Sequence, residues 1–143
     1  MSRCYTLPRT IGSLAQYARV HQCALMPCCA IASEMTKVRP VVVLSPRRRR
    51  KIGPYLVVPF STQMSERLEP THYRIPAGRY SFFTRDADSW AKCEFLSAVG
   101  EERLDRLWRD GMHVAPRLHD ADLRGILMGV LRALGPLALH GGS

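Results

Sequence analysis

The sequence predicts a mostly β fold with helices attached, a small barrel of short strands followed by a C-terminal amphipathic helix. Three observations carry this reading. Runs rich in β-branched residues, bounded by proline, glycine and serine, recur through the middle of the chain. The segments joining them are charged. The tail then abandons the two-residue period for spacings of three and four. At 143 residues the chain suits one domain, able to bury roughly two thirds of the surface that its unfolded form exposes.

The first 33 residues contain no Asp or Glu but carry Arg3, Arg9 and Arg19, a composition shared by transit peptides, basic arms and mis-assigned starts. Residues 1–22 are expected to form an extension, with the domain over 23–137 and a short tail over 138–143. Within the extension, Ile11 to Val20 could form a short helix. Cys23 to Ala32 reads better as a strand leading into a loop.

From Lys37 the pattern sharpens. "VRPVVVLS" opens at a proline and stops at Ser45-Pro46, as a buried strand should. It runs into the basic block Arg47 to Lys51. "PYLVVPFST" (Pro54 to Thr62) is a second strand, "THYRI" (Thr71 to Ile75) a third, and "SWAKCEFLSAV" (Ser89 to Val99) supplies one or two more. "EERLDRLWRDG" (Glu101 to Gly111) reads as a short helix, with acids in its first turn and glycine at its end. In the tail, Leu123, Ile126, Leu127, Val130, Leu131 and Leu134 form one apolar stripe behind Asp120 as N-cap, with Gly135 as the stop.

The 21 Lys+Arg against 12 Asp+Glu give a net charge of +9. With lysine only at Lys37, Lys51 and Lys92, that charge is nearly all guanidinium. Such a surface favours polyanions, RNA or DNA above all. Five cysteines, with Cys4, Cys23, Cys28 and Cys29 crowded at the start and no CxxC pair, argue against structural zinc and for reduced thiols. Nothing approaches the run of about 18 to 20 apolar residues that a membrane span requires.

Chemistry on a phosphate needs a fixed cation, hydroxyl or amide donors, and a group that moves protons. An arginine fork grips two phosphate oxygens, and Arg39 stands just before a strand whose proline neighbour stiffens the backbone. Glu34 lies five residues earlier. Ser61 and Thr62 end the next strand and would reach Arg39 if the two strands pair. RNA carries its own nucleophile, so cutting it without metal asks only for deprotonation of the 2'-hydroxyl, stabilisation of the phosphorane and protonation of the leaving 5'-oxygen. Each residue also has an ordinary use: a strand-start arginine on the surface, a Ser-Thr turn cap, a structural His72, and Trp90 and Trp108 as packing residues.

Taken in order, "SEMTKVRPVVVLS", "LVVPFST", "PTHYRI" and "WAKCEFLSAVGEERLDR" resemble the MazF/PemK family of toxin endoribonucleases from bacterial toxin-antitoxin systems, from about Cys23 to Gly135. The resemblance implies an SH3-like barrel, a homodimer, and a cytoplasmic bacterial toxin restrained by a small acidic antitoxin. It also implies metal-independent cleavage of single-stranded RNA at a preferred sequence, leaving a 2',3'-cyclic phosphate and a 5'-hydroxyl. No cofactor is expected. The resemblance makes Arg39 the residue facing the phosphorane, Ser61 or the adjacent Thr62 the active hydroxyl, and Glu34 a base or an orienter of Arg39. Lys37, Arg47, Arg48, Arg49, Arg50, Lys51, His72 and Glu94 complete the residues expected to contact RNA. Two readings stand beside this one: a non-catalytic toxin fold that binds a protein target such as gyrase, and a basic RNA- or DNA-binding module.

Overall fold

The computed structural model describes residues 19–24, 38–45, 54–63, 67, 69–100, 103–109, 111–114 and 116–135. Among these, nine strands and one α-helix follow one another as β1 (Val20–Ala24), β2 (Val38–Val43), β3 (Tyr55–Ser61), β4 (His72–Ile75), β5 (Ser89–Lys92), β6 (Ser97–Val99), β7 (Leu104–Asp105), β8 (Leu107–Arg109), β9 (Met112–Val114) and α1 (Asp120–Leu134). The first seven strands form one antiparallel sheet in the order β4-β5-β3-β2-β1-β7, with β6 also on β3. β3 therefore has β2 on one side, and on the other β6 at its start (Tyr55↔Val99) and β5 at its end (Phe60↔Ala91). The 3-10 turn Cys93–Phe95 makes that hand-over possible, so "SWAKCEFLSAV" yields two strands.

Side chains alternate between the two faces of a strand, and the core follows that alternation. Val42, Val58, Phe60, Ile75 and Ala91 join Leu123, Ile126 and Val130 of α1 in the larger cluster. Val41, Val43, Val57, Cys23, Val99 and Leu104 form a second cluster. Arg39 and Ser61 share the parity of the second set.

α1 starts after His119, an extended residue, so Asp120 is the first helical residue rather than the cap. Gly135, at φ 105, ends it as the sequence predicts. The helix is fastened through Asp122, 1 % exposed, which accepts hydrogen bonds from Tyr73 (2.7 Å), from Arg79 Nε (2.8 Å) and from the Tyr80 hydroxyl. The Tyr80 oxygen in turn accepts the His119 amide at 2.7 Å. Gly125 and Gly129 let α1 close on the sheet: a β-carbon at Gly125 would stand 1.9 Å from Tyr73 Cε2, and one at Gly129 2.6 Å from Cys93 Sγ.

Two further expectations are corrected. The stretch read as a helix over Glu101 to Gly111 instead provides β7, paired with β1 through Gln22↔Asp105 and Cys23↔Leu104, and β8, the first arm of a hairpin with β9. Leu104 and Leu107, 1 % and 0 % exposed, are spaced by three and suit either period; the free edge of β1 decides for strand. Asp-Gly, read as a helix stop, is also a preferred two-residue hairpin turn, and Gly111 takes φ 77 between Arg109 and Met112. At the other end of the chain, β1 begins at Val20 and so takes in residues that the sequence reading assigns to the extension; the helix expected over 11–20 otherwise lies outside the described residues.

Candidate active site

Arg39 and Ser61 meet because two paired strands begin and end at the same edge. The register Val41↔Pro59, Val42↔Val58, Val43↔Val57, extended by two residues, sets Arg39 opposite Ser61 on one face. Arg39 Nη1 donates to Ser61 Oγ at 3.3 Å. The Gln63 amide donates to the same oxygen at 3.1 Å. Both lone pairs of the Ser61 hydroxyl are thereby engaged, and its proton is left to donate.

Among the described residues the guanidinium makes no other hydrogen bond. Its Nε is buried without a hydrogen-bond partner, and Arg39 forms no ion pair among the described residues. A buried N–H without a partner is uncommon in folded proteins, so the group stands ready for an anion.

Arg39 and Ser61 line a cavity of about 230 Å³. Its rim is formed by the exposed residues Val38, Thr62 and Thr84, and its depth by Phe60, Phe83 and Ser89, all nearly inaccessible to solvent. Thr62 lies beyond the end of β3 and shares the cavity but not the hydrogen bond to Arg39. Of the two hydroxyls, it is Ser61 that the register delivers to the guanidinium.

The same sheet face continues in cationic and polar residues. Ser61 is opposite Trp90, Trp90 opposite Arg74, and, one step along, Lys92 opposite His72. Lys92 is buried; burial pushes its ammonium below the ordinary lysine value, Glu94 holding it partly up and Arg39 adding to the fall. His72 Nε2 lies 2.5 Å from Glu94 Oε1, and Thr71 donates to the other carboxylate oxygen at 2.9 Å. The structure thus joins His72 to Glu94 but leaves both out of the cavity lining. Glu34, Lys37, Arg47, Arg48, Arg49, Arg50 and Lys51 fall outside the described residues, as do the side chains of Trp108 and the rest of the loop after β2. Gln22, Phe83 and Ser89 escaped the sequence reading, since nothing in their local pattern distinguishes them from ordinary strand and loop residues.

A small antiparallel sheet that ends two strands on an arginine and a hydroxyl beside a solvent-facing cavity defines a compact β protein equipped to receive an anionic group. More particularly, the chain belongs to the family of PemK-like, MazF-like toxins of type II toxin-antitoxin systems, whose family model matches residues 18–130. The fold is found in solved structures. One, an endoribonuclease in complex with its cognate antitoxin from a mycobacterial species, is 16% identical with a TM-score of 0.52, over 82% of this chain and 91% of that chain. Another, the Mycobacterium tuberculosis toxin MazF-mt6, is 16% identical with a TM-score of 0.53, over 80% of this chain and 94% of that one. The barrel-like architecture expected from the sequence is the one these toxins share. No curated protein matches the chain.

Proposed function

We propose that this toxin is a sequence-selective endoribonuclease that cleaves single-stranded RNA without a metal ion, leaving a 2',3'-cyclic phosphate and a 5'-hydroxyl. The observation that carries the proposal is the Arg39–Ser61 pair at the cavity, an arginine that makes one hydrogen bond among the described residues, at 3.3 Å, and leaves its buried Nε without a partner there.

The reaction would proceed by transfer within the RNA. A base removes the 2'-hydroxyl proton, the O2'–P bond forms, the P–O5' bond breaks, and the departing 5'-oxygen takes a proton. Arg39 and the Ser61 hydroxyl donate to the non-bridging oxygens, whose charge grows on the way to the phosphorane; donors held in place in this way stabilise the transition state more than the ground state. Glu34 is the proposed base or orienter. His72, Glu94, Lys37 and the block Arg47 to Lys51 would hold flanking nucleotides, the basic block acting through charge and therefore in a salt-dependent manner.

One of the similar structures is an endoribonuclease bound to its cognate antitoxin. By analogy, an acidic antitoxin restrains this chain, which works as a homodimer. The test is incubation of purified protein with single-stranded RNA in EDTA, followed by chemical mapping of the new ends. Cleavage with 5'-hydroxyl ends supports the proposal. Intact RNA, or cleavage only after a divalent metal is added, overturns it.

A further inference from the structure

The inner wall of the cavity has no role in handling a phosphate. Phe60 and Phe83, ring centroids 4.8 Å apart, make it apolar on one side. Gln22 from β1 and Ser89 from β5 bring polar side chains to the same space. Ser89 is only 3% exposed, and among the described residues neither its hydroxyl nor the Gln22 carboxamide makes a hydrogen bond. Two such groups facing one partly apolar cavity describe a guest with a flat apolar body and a polar edge.

Size narrows the guest. Clefts for drug-sized ligands run to roughly 300–1,000 Å³, whereas this cavity has about 230 Å³, room for one ring system. A phosphate would leave the phenylalanines unused, and an aliphatic chain would leave Gln22 and Ser89 unpaired. Resting on the ribonuclease reading, we infer that the cavity seats one unpaired RNA base next to the scissile linkage, and that Gln22 and Ser89 determine which base is accepted. A carboxamide offers a donor and an acceptor side by side and meets a base edge in two hydrogen bonds. The nearly buried Phe60 and Phe83 rings, tilted 59° to one another, give a base an apolar wall for van der Waals contact without distinguishing which base it is. Because Arg39 and Ser61 line the same cavity, a base seated there lies within one nucleotide of the phosphate they hold.

The experiment is cleavage of a randomised single-stranded RNA library by the full-length protein, with 5'-end mapping, for wild type and for Gln22→Ala, Gln22→Glu and Ser89→Ala. At one position beside the cut, Gln22→Ala and Ser89→Ala should each weaken base preference by at least about fivefold, the low end of what a paired base contact supplies. Gln22→Glu, which can only accept, should change the preferred base toward one presenting amino or imino donors, such as cytosine. A merely structural role for Gln22 would not exchange one preference for another. Preferences unchanged at every position in the folded variants would overturn the inference while leaving the nuclease reading intact. If the wild type does not cut, that reading falls, and the pocket is judged by binding of 2'-O-methyl oligonucleotides differing in a single base. Base-dependent affinity that Gln22→Ala abolishes supports the pocket; base-independent affinity, or none, overturns it.

Discussion

Arg39 and Ser61, 22 residues apart in the chain, face each other across β2 and β3 and share a hydrogen bond of 3.3 Å. Their meeting is a property of strand register. A slip of one residue would send the two side chains to opposite faces, and the buried valines on both sides of β2 and β3 oppose any such slip.

Arg39→Ala is expected to lower RNA cleavage by about a hundredfold to a thousandfold, the cost usual for removing a donor to developing charge, with the melting temperature little changed. Ser61→Ala should cost less, since the guanidinium stays. Arg39→Lys should not restore the rate, because an ammonium lacks the planar fork. Single-turnover rates on a defined oligonucleotide measure all three; full activity in Arg39→Ala would remove the proposed chemistry.

Stability should fall on mild acidification. Burial holds the His21 imidazole down to about 4, against an opposing hydrogen bond with the Asp105 backbone and with Arg19 adding to the fall. The unfolded chain takes up this proton near the ordinary value of 6.5, so the contribution is whole above that pH and is lost as the pH drops toward 4. The loss amounts to about 3 kcal/mol. Denaturant titrations between pH 7.5 and 4.5 should show a steeper decline for the wild type than for His21→Gln; parallel curves would refute it.

Asp122→Ala should destabilise the fold by about 3 kcal/mol, because it strands the partly buried Tyr73 and the buried Tyr80 hydroxyls and unties Arg79. Asp122→Asn should cost less, retaining acceptor capacity. Urea unfolding at neutral pH gives both values, and a loss under about 1 kcal/mol for the alanine variant would show that the network does not anchor the helix.

Gly125→Ala ought to help a helix by about 1 kcal/mol on propensity alone. Here it should instead destabilise by roughly 1–3 kcal/mol, since the new methyl meets the Tyr73 ring and that ring is held by its bond to Asp122. Thermal denaturation of the single variant decides the sign.

Much of this architecture can be read in the chain. Within "VRPVVVLS" and "PYLVVPFST" the central residues 41–43 and 57–61 are buried on both faces, so these apolar runs announce strands without help from context, and Arg39 and Ser61 are legible as the residues at the ends of those runs. α1 shows its stripe and its stop. What could not be read depended on partners distant in sequence. "EERLDRLW" is ambiguous until the edge of β1 is available, and Gln22 and Ser89 acquire a shared space only when β1 and β5 approach from opposite sides of β2 and β3. His72 and Glu94 looked like separate candidates; their contact follows from the 3-10 turn that carries Glu94 back past β4, a bend with no signal in composition or period.

The fastening of α1 also governs how the molecule comes apart. Asp122 gathers β4, the Arg79–Tyr80 turn and the first turn of the helix at one carboxylate, while the two glycines lock the helix backbone against Tyr73 and Cys93. Such a joint leaves no inexpensive way to peel the helix off alone. Slow amide exchange in α1 and β4 should therefore vanish together, as one cooperative unit, when the protein is driven toward its denatured ensemble.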